Sequence, residues 1–199
     1  MSVQNLLVEL FVEELPPKSL KKLSEAFAAL LGDSLKSQGL AAADATVTPF
    51  ATPRRLAVRV TDVLARAADK PVSHKLMPVS VGLDATGNAT PALIKRLSAL
   101  GVAASAVPQL KRAADGKNEA LFYDSVAPGT LLVDGVQTAL ETAMAKLPIP
   151  KVMSYQLADG WTSVSFVRPV HGLLAMHGAD VVPLHVLGLS AGRETQGHR

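Results

Sequence analysis

The sequence predicts an α+β fold of mixed or antiparallel sheets, with two long helices, one short helix and two subdomains. Three observations support this prediction. Apolar residues recur at helical spacing in two long segments, strand-like segments follow one another after residue 150, and Gly, Pro, Asn and Asp separate the segments. We assign residues 1–68 to the first subdomain and residues 69–199 to the second.

The first subdomain begins with a β-prone, weakly alternating strand at residues 5–12. A long helix follows, which Pro16-Pro17 opens and Gly39 ends. Its apolar stripe comprises Leu20, Leu23, Phe27, Leu30, Leu31 and Leu35. Two further strands, at residues 46–52 and 56–63, complete this subdomain.

The second subdomain opens with a strand at residues 72–83 that Pro78 interrupts. A short helix is expected after it, with Thr90 as its cap, Pro91 at its first position and Gly101 at its end. The remaining predicted elements are a strand at 120–126, a long helix at 132–147, and a β-meander with strands at 152–157, 161–170, 173–177 and 181–187.

The composition excludes several classes of protein. The chain has no cysteine, so it has no disulfide, no thiolate nucleophile and no cysteine-based metal site. Its least charged stretch, residues 169–192, contains Asp180 and Pro183 and is too interrupted for a membrane-spanning helix. Residues 1–17 carry no positive side chain, which argues against a signal or transit peptide. We therefore expect a soluble, cytoplasmic protein with no membrane partner.

Positive charge is concentrated in the middle of the chain. Residues 51–118 contain eleven Lys and Arg against four Asp and Glu, whereas residues 1–50 and 119–199 each have a net charge of −2. A basic segment of this kind is typical of a surface that meets a polyanion such as nucleic acid. Aromatic residues make up only 4% of the sequence, which disfavours a platform of rings for stacking bases.

Motifs for catalysis and metal binding are weak. Residues 188–192 match the G-x-S-x-G nucleophile elbow, but the acid and histidine after Ser190 follow too closely to form a triad. We interpret this segment as a turn at a strand end. Four histidines have no carboxylate or cysteine at ligand spacing, and we interpret them as structural or exposed: His171, His177, His185 and His198. We assign no catalytic, cofactor-binding or metal-ligating residue.

Arginines are the candidate functional residues. Thr52-Pro53-Arg54-Arg55 places two guanidinium groups at a turn, from which they can bond to phosphates in bidentate fashion. Arg168 is a cation in an otherwise apolar strand, which is costly unless a partner is held there. Arg193 lies in the polar segment 192–199. All four are candidate nucleic-acid contacts, with internal salt bridges of Arg55 and Arg168 as an equal alternative.

The same motifs give the sequence a specific resemblance to a known family. In chain order they are Leu7-Val8-Glu9-Leu10, Glu13-Glu14-Leu15-Pro16-Pro17, residues 50–56, Gly87-Asn88, Thr90-Pro91, residues 147–153, residues 166–171, residues 186–189, Gly192-Arg193 and Gly197-His198-Arg199. Across nearly the whole chain they resemble the N-terminal part of the beta subunit of bacterial-type glycine–tRNA ligase (glycyl-tRNA synthetase).

This resemblance implies an aminoacyl-tRNA synthetase reaction, the ATP-dependent attachment of glycine to tRNA(Gly), in a cytoplasmic heterotetramer. ATP and glycine would bind to a separate alpha subunit, which holds the active site, whereas the beta subunit chiefly binds tRNA(Gly). The family's beta subunit is several times longer, so the resemblance also implies a fragment that binds no cofactor and is inactive alone. Arg54, Arg55, Arg168 and Arg193 then become candidate tRNA contacts.

The sequence departs from the family's motifs at three places. Ser154-Tyr155 stands where members often carry Arg-Trp, Gly172 where they often carry Trp, and Leu76-Met77-Pro78 follows Lys75 where many have Lys-Gly-Pro. These departures argue against a tRNA contact at residues 154–155. The alternative function for the region is an assembly scaffold that docks the alpha subunit or other beta domains without touching RNA.

Overall fold

The computed structural model describes residues 2–84, 86–116 and 118–197. The chain packs as two units: unit 1 comprises Met1–Ala68 and Gly129–Arg199, and unit 2 comprises Asp69–Pro128. Helices and antiparallel sheets occur in both units, so the predicted α+β class is confirmed.

Unit 1 contains the larger sheet and the two long helices. Its elements are β1 (Val3–Val12), α1 (Pro17–Gln38), β2 (Val47–Thr52), β3 (Arg55–Leu64), α4 (Leu132–Lys146), β7 (Met153–Gln156), β8 (Ser163–Phe166), β9 (Val170–His177), β10 (Asp180–Val181), β11 (His185–Val186) and β12 (Leu189–Ser190). Five of these strands form one sheet in the order β10-β9-β1-β3-β2, while β7 pairs with β8 and β11 with β12.

The central strand β1 explains the position of the core. Its residues alternate between a buried face and a partly exposed face, as expected of a strand with one side on a core. Val8 on the buried face stands opposite Val58 of β3 and Ala175 of β9, both in antiparallel register. Glu9 lies on the other face, where its carboxylate is available for polar contacts.

Helix α1 follows the predicted apolar stripe and packs on the sheet. Leu23, Phe27, Leu31 and Leu35 are buried, and together with the sheet residues they form one core cluster. Pro17 stands at the start of the helix, where its missing N–H removes no hydrogen bond. Gly39 ends it with φ +76°, a left-handed conformation that glycine adopts without strain.

Helix α4 packs closely against the end of α1. Gly135 lies where a Cβ atom would approach Cδ1 of Leu40 to 2.2 Å, so the absence of a side chain permits the close approach. The Gln38 side chain donates to the Gly135 carbonyl oxygen at 3.0 Å. The glycine therefore serves the packing of the helix, although it lowers helix propensity.

Unit 2 is a three-stranded sheet with short helices. Its elements are β4 (Lys70–Pro78), α2 (Val79–Gly82), α3 (Pro91–Ala99), a 3-10 helix (Ala104–Gln109), β5 (Lys111–Asp115) and β6 (Asn118–Ala127), with strand order β4-β6-β5. Thr90 caps α3 by accepting a bond from the Leu93 N–H, as its sequence predicts. Leu76, Leu93, Leu97 and Leu121 form a separate small core.

The partition into units differs from the predicted subdomains. The prediction assigned residues 69–199 to one subdomain, whereas residues 129–199 pack with the N-terminal residues in unit 1. The physical reason is long-range pairing: β9 hydrogen-bonds to β1, and α4 packs on α1. The predicted meander after residue 150 is likewise divided, because only β9 and β10 join the main sheet.

Three short elements of unit 2 have no counterpart in the prediction: α2, the 3-10 helix and β5. Every residue of β5 is exposed, so this edge strand has no apolar alternation that could have revealed it. Within the described residues, no helix is long and apolar enough to cross a membrane.

Candidate RNA-contact cluster

Three segments that carry sequence motifs converge at one end of the unit 1 sheet. The Val12 N–H donates to the Arg54 carbonyl oxygen at 2.9 Å, and the Leu15 N–H donates to that of Pro53 at 2.7 Å. The Glu13 N–H donates to the Pro169 carbonyl oxygen at 2.9 Å. The end of β1, the β2–β3 turn and the β8–β9 connection are thus joined by backbone hydrogen bonds.

Arg55 is the most firmly held of the candidate arginines. Its Nη1 donates to Glu9 Oε1 at 3.2 Å and to Thr195 Oγ1 at 2.8 Å, while the Thr195 hydroxyl donates to the same Glu9 carboxylate. The guanidinium also lies 5.7 Å from the centre of the Phe11 ring, within cation–π range. With side chains only 21% and 14% exposed, Arg55 and Glu9 fix the C-terminal segment to the sheet.

Arg54 has a different environment from its neighbour. Its side chain is 51% exposed, and its Nη2 lies 4.0 Å from Glu13 and 3.8 Å from Glu14, at the outer limit of an ion pair. Glu13 also contacts His171 Nε2 at 2.8 Å. Because the Arg54 contacts are long and exposed, this guanidinium can exchange them for a phosphate at little loss of stability.

Arg168 bonds mainly to the backbone of unit 1. Its Nε donates to the Glu14 carbonyl oxygen at 3.1 Å, and its Nη1 lies 3.1 Å from the Val167 carbonyl oxygen and 3.0 Å from Met153 Sδ. Arg168 was predicted to lie within a strand at residues 161–170, but it lies between β8 and β9, where carbonyl oxygens accept its hydrogen bonds. Arg168 links the β8–β9 connection to the segment that follows β1.

Arg193 is directed toward another part of unit 1. Its Nη2 donates to the Ala179 carbonyl oxygen at 3.2 Å, in the turn between β9 and β10. The structure therefore brings Arg54, Arg55 and Arg168 to the end of β1 and gives Arg193 a partner elsewhere. Of the family-like motif Gly197-His198-Arg199, His198 and Arg199 lie outside the described residues.

An open cavity of about 1200 Å³ lies beside the two adjacent arginines. Its lining residues are Phe11, Glu14, Thr52, Pro53, Arg54, Arg55, Thr195, Gln196 and Gly197. The lining supplies two guanidinium groups, one carboxylate, two hydroxyls, an amide and one aromatic ring. We call this lining, together with Glu9, Glu13, Arg168 and His171, the arginine cluster. Its groups can bind an anion and donate hydrogen bonds, which suits recognition of a sugar–phosphate backbone.

The sequence analysis missed the residues that position Arg55. Glu9 and Phe11 stand on the partly exposed face of β1, and the register places Phe11 directly opposite Arg55. A carboxylate on the same strand face as Leu7 and Phe11 was a signal that could have been used. Thr195 gave no such signal, because its contact with Arg55 spans 140 positions of the chain.

Within residues 2–197, Ser190 and the motif histidines that lie there have local hydrogen-bond partners. Ser190 Oγ lies 3.1 Å from His185 Nδ1, an upstream histidine that stands opposite it on the paired two-residue strands β11 and β12. This is an exposed cross-strand contact of the kind that stabilises sheets. His171 is exposed beside Glu13, whereas His177 is buried 2.8 Å from the Val63 carbonyl oxygen. Among the described residues, no group of three His, Asp or Glu side chains could hold a metal ion.

Three carboxyls outside the arginine cluster have perturbed acidities. The Thr162 hydroxyl lowers the pKa of Asp159, and the Thr86 side chain lowers the pKa of Asp84. The Lys111 ammonium, as a hydrogen-bond donor, lowers the pKa of Asp124. Each carboxylate is exposed and takes part in a turn or a cross-strand contact, so these shifts report local structure.

Comparison with known proteins gives consistent matches over the full chain. The sequence model of a family described as glycyl-tRNA synthetase beta subunit matches residues 6–199. The glycine–tRNA ligase beta subunit of Leptothrix cholodnii is 71% identical over 199 residues, that of Thiobacillus denitrificans 67% over 199 and that of Dechloromonas aromatica 66% over 203. Each alignment covers all of this chain and 28% of the relative, so the chain spans little more than a quarter of their length.

Proposed function

This chain belongs to the glycyl-tRNA synthetase beta subunit family, and we propose that it contributes to the binding of tRNA(Gly) during ATP-dependent attachment of glycine. The relatives' name supports the reaction, and the exposed cation at the β2–β3 turn supports the contact. Arg54 is the observation that carries the proposal, because it combines high exposure with weak intramolecular partners beside an open cavity.

We place the chemistry of the reaction in an alpha subunit partner. Glycine and ATP form glycyl adenylate and pyrophosphate there, and the glycyl group then passes to a terminal ribose hydroxyl of tRNA(Gly) with release of AMP. The designation as a beta subunit supports the existence of such a partner. The role of this chain is then to hold the tRNA backbone by electrostatic contacts. Such contacts do not depend on the base sequence and supply most of the affinity of non-specific nucleic-acid binding.

The four candidate arginines have unequal parts in this proposal. Arg54 is the primary phosphate contact, and the exposed Arg193 is a second one. Arg55 and Arg168 act chiefly as positioning residues, since carboxylate, hydroxyl and carbonyl oxygens already accept their hydrogen bonds. Their contribution is to hold the turn and the C-terminal segment in the shape that presents Arg54.

Salt-dependent binding of tRNA(Gly) tests the role of Arg54. Each phosphate contact adds about 0.7–0.9 to the slope of log affinity against log salt concentration, so Arg54→Gln is expected to flatten the slope by about that amount. Arg59→Gln is the matched control, because it removes the same charge from an exposed position in the middle of β3. Equal slopes for Arg54→Gln and the unsubstituted chain would refute the contact.

A scaffold role is the second candidate function, and the engagement of Arg55 favours it. A guanidinium that is held by Glu9 and Thr195 shapes a surface and is less free to bind an external anion. Under this alternative the arginine cluster docks the alpha subunit or other beta domains. Two results together would favour the scaffold over the RNA contact. The chain would co-purify with an alpha subunit and lose this association on Arg55→Ala, and the chain would show no measurable affinity for tRNA.

A further inference from the structure

Trp161 is the only tryptophan in the chain, and it lies at the tip of the β7–β8 hairpin with 90% of its surface exposed. A single exposed aliphatic side chain needs no explanation. An indole is different, because tryptophan usually buries a large apolar area and is enriched where a partner covers it. Although the sequence has few aromatic residues, one of them, Trp161, is therefore almost fully exposed to solvent.

The turn beneath Trp161 is firmly closed. The Asp159 carboxylate accepts hydrogen bonds from the N–H groups of Trp161 and Thr162, each at 2.9 Å, and from the Thr162 hydroxyl at 2.6 Å. The Leu157 N–H donates to the Thr162 carbonyl oxygen at 2.8 Å, which closes the hairpin. These bonds hold the backbone of Trp161 in place, so a partner that binds the ring has little backbone to order.

The strands of the hairpin that carries the ring expose mainly polar side chains. On the exposed face of the hairpin, Ser154 and Ser165 stand opposite each other with their hydroxyls 2.8 Å apart, and Gln156 pairs with Ser163. The exposed Met153 lies at the opposite end of the hairpin, beside Arg168. A protein partner would require a contiguous apolar patch, whereas a nucleobase requires one flat ring with hydrogen-bonding groups nearby.

We propose that Trp161 stacks on an unpaired base of the bound RNA, with the Gln156 amide and the Ser163 hydroxyl, which form the strand pair next to the turn, available to its edges or ribose. This inference rests on the proposed tRNA-binding function and adds to it a stacking contact that involves no charge. The exposed Lys151, which precedes β7, and the partly exposed Arg168, which follows β8, place positive charge at the base of the same hairpin, as contact with RNA requires.

Intrinsic fluorescence reports on this contact directly, because the chain has a single tryptophan. Titration of the 199-residue chain with tRNA(Gly) is expected to quench the emission. Trp161→Ala should weaken tRNA binding by roughly 5- to 150-fold, the range measured for loss of one base–aromatic stack. It should leave the salt slope unchanged, because no charge is removed.

Two further variants separate stacking from general effects. Trp161→Phe retains a ring and should lose less affinity than Trp161→Ala, and Val126→Ala, at another exposed apolar residue, should bind like the unsubstituted chain. Unchanged emission together with full affinity of Trp161→Ala would overturn the stacking contact and leave the proposed function standing. A chain that binds no tRNA would overturn both. Quenching by the alpha subunit alone, lost in Trp161→Ala, would instead assign the ring to a protein partner and overturn the inference.

Discussion

Two adjacent arginines of the β2–β3 turn have different physical roles, although the sequence presents them as a pair. Arg55 is the first residue of β3, and strand geometry directs its side chain to the sheet face that carries Glu9 and Phe11. Arg54 precedes the strand, and its side chain extends into solvent between two loosely placed carboxylates. A shift of one residue along the chain thus separates a well-bonded cation from one with long, exposed ion pairs.

The Glu9–Arg55 pair is expected to contribute measurably to stability. Arg55→Met keeps the aliphatic volume but leaves a largely shielded carboxylate without its cation, so we expect the free energy of unfolding to fall by about 1.5–3 kcal/mol. Adding Glu9→Gln should restore part of this loss, because the unpaired charge is then removed. Urea unfolding of both single variants and the double variant measures the coupling.

Additivity would contradict this assignment. If the double variant loses the sum of the two single effects to within about 0.3–0.5 kcal/mol, Glu9 and Arg55 do not interact energetically. Lys21→Met with Glu25→Gln is a suitable control cycle. That pair is an exposed i,i+4 contact on α1, for which we expect a coupling of only about 0.3–0.5 kcal/mol.

At the residue scale, the sequence predicted the cations of the site but not their partners. A turn with two arginines is a local pattern, and the placement of Arg54 at an exposed turn follows from it. The Thr195 contact depends on the C-terminal segment crossing the sheet, where Gly192 bridges to Leu174 of β9. No spacing in the sequence encodes that crossing, because it results from packing between distant segments.

At the scale of elements, local signals located the helices better than the short strands. The stripe of α1 and the Thr90-Pro91 start of α3 each lie within one continuous segment, so residue spacing and capping chemistry were sufficient. The pairing of β7 to β12 includes long-range partners, since β9 pairs with β1, and no local spacing encodes them. For that reason a predicted four-stranded meander is divided among three separate sheets.

The cap of α3 provides a test of a helix terminus in unit 2. Thr90 accepts a hydrogen bond from the Leu93 N–H and donates one to the Val81 carbonyl oxygen at 2.9 Å. Thr90→Ala removes both bonds and should lower the stability of unit 2 by about 1 kcal/mol, whereas Thr90→Ser keeps the hydroxyl and should lose much less. Hydrogen exchange at the amides of α3 measures the difference, and equal protection in the two variants would refute the capping role.

At the scale of the whole molecule, the two units have separate cores. Every member of the larger buried cluster lies outside residues 69–128, and every member of the smaller cluster lies within them. The basic middle of the sequence is divided in the same way, with four of its eleven cations in unit 1 and seven in unit 2. The net charge of +7 is therefore a sum over residues of both units.

The first boundary between the units coincides with a change in the sequence, whereas the second has no local mark. The sequence predicts a connector at residues 65–71, after the predicted strand at 56–63, and the subdomain boundary was placed within it at residue 68. The return at residue 129 depends on the pairing of β9 with β1 and on the Ala67 N–H, which donates to the Thr130 carbonyl oxygen at 2.9 Å. Such contacts join residues that are distant in sequence, and composition does not reveal them.

This arrangement predicts that unit 1 folds without unit 2. Ala67 and Thr130 are already hydrogen-bonded, so replacing residues 69–128 with a short Gly-Ser linker should leave the five-stranded sheet and the arginine cluster in place. The excised unit 2 has 60 residues and a core of only four buried residues. Its stability by itself should be marginal, because small domains bury too little apolar surface. Cooperative urea unfolding and dispersed amide resonances of the linked unit 1 would support the prediction.

The linked unit 1 also locates the proposed RNA contacts. If Arg54 and Trp161 bind tRNA(Gly), the linked unit 1 retains the quenching of Trp161 emission and the change in salt slope on Arg54→Gln. A linked unit 1 that unfolds without cooperativity would show that its core depends on unit 2, and a folded one without tRNA affinity would transfer the RNA contacts to the seven cations of unit 2.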